Sequence, residues 1–214
     1  MKCTIVANGN ILNYSYYSKI IENTDYIICV DGGAKHLVRM NITPRVIIGD
    51  LDSIDEKTKK FFLKKKVEFL KFPRNKNATD TELALDFAMS LNPSEVVLLG
   101  VIGNRMDHSI GNITLLKKLL DKGIKGRVIN ENNEIYILNS RINELSLTGG
   151  EKDYISLIPL SYKVKGINLE GLKYPLIDAE IPLGSSIGIS NEFIKNRAKV
   201  RIKEGLLLVM KTRD

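Results

Sequence analysis

What most narrows the folds open to this chain is a change of hydrophobic period partway along it. Up to about residue 127, short apolar runs alternate with stretches of helical period, an order that gives parallel strands joined by crossover helices. Residues 4–7, 26–30, 46–48, 67–69 and 95–101 read as strands, and 34–40, 56–65, 80–91 and 108–121 as helices. In 80–91, Leu83, Phe87 and Leu91 recur every fourth residue, and Thr79 with Glu82 forms a capping box. Gly123 is placed to stop the helix before it. From about residue 128 the period falls to two, with Gly, Asn and Pro turns, as in Ile135-Tyr136-Ile137-Leu138, Tyr154-Ile155-Ser156-Leu157-Ile158, Ala198-Lys199-Val200-Arg201-Ile202 and Leu206-Leu207-Leu208-Val209-Met210. The expected architecture is an α/β domain over 1–127, with an open, mostly parallel sheet and flanking helices, followed by an antiparallel β-sandwich over 128–214.

A chain of 214 residues with 43% hydrophobic and 27% charged side chains can bury a core without staples. Cys3 and Cys29 both lie in apolar runs and read as buried free thiols, which fits a reducing compartment. No export signal and no 18-residue apolar run is present, so cytoplasm is the expected location and no membrane partner is expected. Much of the net charge of +7 collects in Lys57, Lys59, Lys60, Lys64, Lys65 and Lys66. With no aromatic platform beyond Phe61 and Phe62, this cluster reads as a solvated helix face rather than a nucleic-acid surface.

In an open parallel sheet, ligands bind beyond the carboxyl ends of the strands. Asp31, Asp50, Asp52, Asp80 and Asp107 each follow a predicted strand or open the helix after it. Singly, each has a structural reading as a turn, first-turn or capping acid. Together they would repel one another at one edge of a basic protein, and a divalent cation removes that repulsion. The pair in Asp50-Leu51-Asp52 is suited to aim two acids at one ion. The segment Gly100-Val101-Ile102-Gly103-Asn104-Arg105-Met106-Asp107-His108 supplies the phosphate side. Its glycines would let backbone amides approach an anion at a helix start, and Arg105 offers a planar fork of donors. His108 and Asn112 share a helix face around Gly111, a residue that close approach of a ligand or of another backbone would explain. For His108, a satisfied helix-start histidine and a polar contact to substrate both remain open. Neither a P-loop nor a Gly-x-Gly-x-x-Gly fingerprint is present.

Asp31-Gly32-Gly33-Ala34, Gly49-Asp50-Leu51-Asp52-Ser53, Thr79-Asp80-Thr81-Glu82 and Gly103-Asn104-Arg105-Met106-Asp107-His108, followed by Asn112-Ile113 and Leu115-Leu116, resemble the ordered signature of bacterial thiamine pyrophosphokinases. Ile189-Ser190-Asn191-Glu192-Phe193 is similar to the thiamine-site motif of that family. The resemblance implies transfer of a diphosphoryl group from ATP to thiamine by an α/β ATP domain and a β-sandwich thiamine and dimerisation domain, in a homodimer with active sites between subunits. It implies that Asp50, Asp52 and Asp80 hold Mg²⁺, or Mn²⁺ in its place, with Asp31 and Asp107 completing the catalytic acids. It further implies that Gly32, Gly33, Asp50, Ser53, Thr79 and Arg105 meet ATP, and that His108, Asn112, Ser190 and Asn191 meet thiamine. Two departures stand out. Asn77 occupies a place where many relatives carry an acid, and the chain has no tryptophan to wall the thiamine ring. The alternatives are a pyrophosphokinase or nucleotide hydrolase with another acceptor, and a non-catalytic nucleotide or thiamine sensor.

Overall fold

The computed structural model describes residues 1–73 and 77–214. Contacts divide the chain into two compact units, one of Met1–Leu119 with Ile124–Glu131 and one of Leu120–Gly123 with Asn132–Asp214.

The first unit contains β1 (Lys2–Val6), α1 (Tyr14–Ile21), β2 (Tyr26–Val30), α2 (Ala34–Arg39), β3 (Val46–Gly49), α3 (Glu56–Lys64), β4 (Glu68–Lys71), α4 (Asp80–Ser90), β5 (Glu95–Leu99), α5 (Met106–Thr114) and β6 (Lys125–Ile129). Its strands run parallel in the order β6-β5-β1-β2-β3-β4. From β1 the chain therefore winds outward to β4 and then returns to β5 on the other side of β1. That reversal opens a crevice at the carboxyl ends of β1 and β5. The register brings the neighbouring ends level, with Val6 opposite both Cys29 and Leu99 and Val30 opposite Ile48. The residues that follow these strands consequently emerge along one edge.

Strand alternation divides the core between the two faces of the sheet. Val6, Cys29, Ile47, Val97 and Leu99 pack with Tyr17, Ile21, Leu37 and Phe62 from α1, α2 and α3. The alternate residues Ile5, Ile28, Ile48 and Leu98 are equally buried, and α4 lies against β1, β2 and β3. The buried stripe of α4 is Thr81, Ala84, Leu85 and Ala88, whereas the expected stripe of Leu83, Phe87 and Leu91 is only partly covered. Small residues at 81, 84 and 88 let the helix lie close to the sheet, and the larger side chains take its flank. Thr79 caps α4 by accepting the Glu82 amide at 3.2 Å. The Glu82 carboxylate pairs with Lys118 at 3.1 Å. Both cysteines are buried and free, and burial pushes both thiols up. On α3, Lys57, Lys60 and Lys64 are exposed while Phe62 is fully buried, as a solvated face requires.

The helix α1 lies where the sequence pattern indicates no element. Tyr-Ser-Tyr-Tyr-Ser is a weak helix former, and eight residues are too few to be helical alone. Tertiary contacts supply what propensity lacks. Asn13 caps the helix by accepting the Tyr16 amide, and Tyr17 and Ile21, one turn apart, are buried. Glu131, just past β6, accepts the Leu12 and Asn13 amides at 2.8 and 3.0 Å and the Tyr17 hydroxyl at 2.8 Å.

The second unit contains α6, which its range Leu116–Asp121 only partly places here, and β7 (Asn133–Leu138), β8 (Glu144–Thr148), β9 (Asp153–Pro159), β10 (Lys163–Glu170), β11 (Ala179–Pro182), β12 (Asn191–Glu192), β13 (Arg197–Arg201) and β14 (Leu207–Arg213). Two antiparallel layers form, β12-β9-β14-β7 and β11-β10-β13-β8. Leu138, Leu157, Leu207 and Val209 of one layer share a core with Leu147, Val164, Ile167 and Val200 of the other, which makes the unit the expected sandwich. Gly123 takes φ +71° at the end of α6, the left-handed turn expected of it.

Burial works to raise the Glu131 carboxyl, but the Asn13 and Leu12 amides and the Tyr17 hydroxyl outweigh it and hold the group below its ordinary 4.5. Its contribution is therefore complete above the unfolded-state value and is lost as the pH falls through the folded one. Glu131→Gln is expected to lower stability by about 1 kcal/mol near neutrality, after allowance for the solvent that reaches the carboxylate. Urea unfolding should show that gap closing below about pH 4.5. A gap of the same size in acid would contradict the assignment.

Candidate active site

The loops after β1 and β5 meet at the reversal of the strand order. The Gly9 amide donates to the Gly100 carbonyl, and the Asn10 amide donates to Ile102 O at 3.1 Å. A Cβ on Gly9 would lie 2.4 Å from Gly100 O and 2.5 Å from Ile102 O, so no other residue fits there without moving backbone. Gly100 takes φ +62°, and a Cβ there would meet Ala7 O at 2.5 Å. Close loop packing thus accounts for Gly100 without any anion. The Gly103 amide is likewise engaged, donating to Ser109 Oγ at 3.1 Å.

Beside this junction lies an open cleft of about 690 Å³. Among the described residues its lining includes Asp31, Asp50, Asp80, Ser53, Thr79, Arg105, His108 and Asn112, all expected from the sequence, Asn104 of the expected phosphate-side segment, and Asn8, Gly9 and Asn10, which were not expected. A Gly-Asn turn directly after the first strand was the available signal for this second group. Gly32, Gly33, Asp52 and Asp107 lie outside that lining. Gly32 and Gly33 are buried in the turn that follows β2, where a Cβ on Gly33 would strike Val6 O at 2.5 Å. Asp52 donates its amide to Asp50 Oδ1 at 3.0 Å across Leu51, whose φ is +67°. Asp107 and His108 line an adjoining cleft of about 390 Å³ with Gly111 and Asn112. Ser190 and Asn191 belong to the second unit.

The charges in the cleft have distinct environments. Asp31 sits at φ +43°, and its Oδ1 is buried with no hydrogen-bond partner within the protein. A buried carboxylate oxygen left in this state is costly unless a cation or solvent reaches it. Among the described residues, no three His, Cys, Asp or Glu side chains form a ready-made metal cage. Acids spread along a cleft suit a hard cation that keeps waters and binds substrate phosphates as well. Asp80 occupies the first turn of α4, and Arg105 caps α5, so two helix N-termini open at the cleft. Arg105 holds Asp107 at 3.2 and 2.6 Å, and this contact, with the His108 amide, brings that carboxyl down to about 2.

Several of these residues are held by backbone partners. The Asn112 amide donates to Val101 O at 2.8 Å and anchors the loop, and Ser109 ties Gly103 to Arg105 through its hydroxyl. In the second unit Asn191 is 4% exposed, accepts the Tyr174 amide at 3.0 Å and donates to Tyr174 O at 2.7 Å. Ser190 is exposed at φ +56°, with its amide donated to Ser156 Oγ. Apart from its own helix and chain neighbours, no atom of the described residues lies within 4 Å of a Cβ built on Gly111, so close approach of another of their backbones is not the reason for that glycine.

The family profile "Thiamin pyrophosphokinase, catalytic domain" matches residues 17–128, and "Thiamin pyrophosphokinase, vitamin B1 binding domain" matches 141–207. The chain is 36% identical to the thiamine pyrophosphokinase of Bacillus subtilis (strain 168) over 188 residues, covering 87% of each protein. A crystal structure of the Bacillus subtilis thiamine pyrophosphokinase superposes with a TM-score of 0.89 at 34% identity over all of both chains. That of the Geobacillus thermodenitrificans thiamin pyrophosphokinase gives 0.85 at 28%, covering 100% of this chain and 98% of that one.

The two glycines differ in what a methyl group would meet. Gly9→Ala is expected to destabilise the chain by about 1–3 kcal/mol, as overpacking against backbone does. Gly111→Ala, in a helix with open space around it, should stabilise by up to about 1 kcal/mol. Urea midpoints at constant m-value decide this, and equal effects at the two positions would refute the packing account.

Proposed function

The chain belongs to the thiamin pyrophosphokinase family, and on that basis we infer that it transfers a diphosphoryl group from ATP to thiamine, giving thiamine diphosphate and AMP. The observation that carries this reading is the cleft at the strand reversal, where Asp31, Asp50 and Asp80 face the same space as Arg105 and two helix N-termini. Acids alone would repel a triphosphate, and Arg105 with the helix N-termini offsets part of its charge. The mixed lining suits a nucleotide bound with a cation.

Asp50, Asp52 and Asp80 would hold Mg²⁺, with Mn²⁺ as a substitute, and the unpartnered Asp31 oxygen fits the same group. When bound, the cation supplies charge neutralisation on the triphosphate oxygens. Arg105, Thr79, Ser53 and the turn Gly32-Gly33 would orient the phosphates. The thiamine hydroxyl would attack the β-phosphorus, its proton would pass to a carboxylate, and AMP would leave. Asp80 or Asp107 would accept that proton, and Asp107 also orients Arg105 through their ion pair. His108 and Asn112, with Ser190 and Asn191, would meet thiamine.

The second unit exposes Tyr174, Ile177, Leu183, Ile187, Ile189 and Ile194, all within or beside the 174–194 segment that carries the thiamine motif. Such a surface suits burial against a second copy, and we place each active site between the α/β domain of one subunit and the sandwich of the other. No helix among the described residues is long and apolar enough to cross a membrane. The two reduced thiols fit the cytoplasm.

Incubation of the protein with ATP, Mg²⁺ and thiamine should yield AMP and thiamine diphosphate, and stoichiometric ADP would overturn the reading. Asp52→Asn, still folded, should lose about 10²-fold or more. When it is co-folded with an inactive Asn191→Ala variant, a shared site predicts return of roughly a quarter of wild-type activity, since half the dimers are mixed and each has one intact site in two. No recovery, with mixed dimers present, would contradict the shared site.

A further inference from the structure

One buried ionisable group stands outside the chemistry described so far. His36, on the inner face of α2, is 4% exposed, and its two ring nitrogens are both engaged. Nε2 lies 2.9 Å from the Gly9 carbonyl, and Nδ1 lies 3.0 Å from the Tyr14 hydroxyl. Arg39, one turn further along α2, donates Nη1 to the same hydroxyl at 2.8 Å.

Hydrogen-bond direction leaves one consistent arrangement. A carbonyl only accepts, so Nε2 must carry the proton. Arg39 only donates, so the Tyr14 oxygen accepts from it, and the Tyr14 hydroxyl is free to donate to a bare Nδ1. The chain of donors runs from Arg39 through Tyr14 and His36 to Gly9, with every partner satisfied. A second proton on Nδ1 would turn the hydrogen of Tyr14 away from this acceptor. Burial lowers the affinity of His36 for that proton, as do Lys35 and Arg39, against the opposing pull of the Gly9 carbonyl. Lys35, Arg39 and Tyr14 are the charged or titratable groups set against the ring from α1 and α2.

The far end of this chain is the residue on which the two cleft loops meet. Gly9 gives its amide to Gly100 and its carbonyl to His36, and it has no room for a side chain. Asn10, its neighbour in the cleft lining, adds a 3.2 Å contact from its side chain to Asn104. We propose that His36, as the neutral Nε2–H tautomer fixed by Tyr14 and Arg39, is the positioning residue that sets the height of the β1–α1 loop and so the fit of the cleft to its phosphate-bearing ligand. The ligand part of this proposal rests on the functional reading above. The tautomer part does not.

Two measurements separate them. Long-range ¹H–¹⁵N correlation on the intact protein without substrate should show His36 protonated at Nε2 and bare at Nδ1 near neutral pH. A protonated Nδ1, in either the other tautomer or the imidazolium, would overturn the clamp whatever the enzyme does. In steady-state assays His36→Phe should raise KM for ATP about tenfold, which corresponds to about 1.4 kcal/mol, with kcat and the KM for thiamine within about twofold. His36→Gln, which can still present an N–H, should recover part of the loss. Should His36→Phe fail to fold, Tyr14→Phe keeps the ring packing and removes only the hydroxyl on Nδ1, and it should raise KM for ATP while the Gly9 carbonyl still holds the proton on Nε2. An unchanged ATP KM in a folded variant, or equal losses for both substrates, would refute the positioning role. A wild-type protein without transferase activity would instead refute the functional reading and leave the tautomer result to judge the clamp.

Discussion

The contact of the β1–α1 loop with the β5–α5 loop is the interaction on which the site depends. Parallel strands at a reversal of winding send their following loops apart, and the gap between them becomes a binding cleft only if something fixes its floor. Here the floor is backbone on backbone, with Gly9 against Gly100 and Asn10 against Ile102. Steric exclusion at Gly9 and the left-handed turn at Gly100 make the contact specific to two glycines. Level strand ends then place Asp31 and Asp50 along the same rim, and the starts of α4 and α5 bring Asp80 and Arg105 to it.

Electrostatics divide the rim into groups with different tasks. Asp107 and Arg105 neutralise each other while exposed, so their pairing positions the guanidinium more than it stabilises the fold. Asp31 is the opposite case, with a carboxylate oxygen buried and unpartnered inside the protein. A buried carboxylate oxygen without a partner is costly unless a cation or solvent reaches it. Neighbouring acids on one edge thus sit in different electrostatic environments, one paired and exposed, the other buried.

Much of this organisation was legible in the sequence because it rests on local chemistry. The runs at β2 and β3 are β-branched and apolar, Thr79 announces its own cap, and Gly123 its own stop. The acids could be placed on one edge because strand ends in a parallel sheet share a direction. What escaped was decided by distant partners. The helix Tyr14–Ile21 is held by the burial of Tyr17 and Ile21 and by Glu131, more than a hundred residues away, and the buried stripe of α4 is Thr81, Ala84, Leu85 and Ala88 rather than Leu83, Phe87 and Leu91. Gly111 was read through a ligand or another backbone, and the open space around it removes the second, while Gly100, read through an anion, answers to a carbonyl of the first strand's loop. His36 gave no sign in the sequence, since its role arises only when α2 folds beneath Gly9.

If the loop junction is the floor of the nucleotide site, binding must be felt at the backbone that builds it. Hydrogen exchange of the intact protein, with and without Mg²⁺ and a non-hydrolysable ATP analogue, tests this directly. Slower exchange is expected in the segments 8–10, 31–33, 79–82 and 101–108, with the sandwich strands over 133–170 unchanged. Protection confined to the second unit, with the loops after β1 and β5 exchanging as before, would contradict the account.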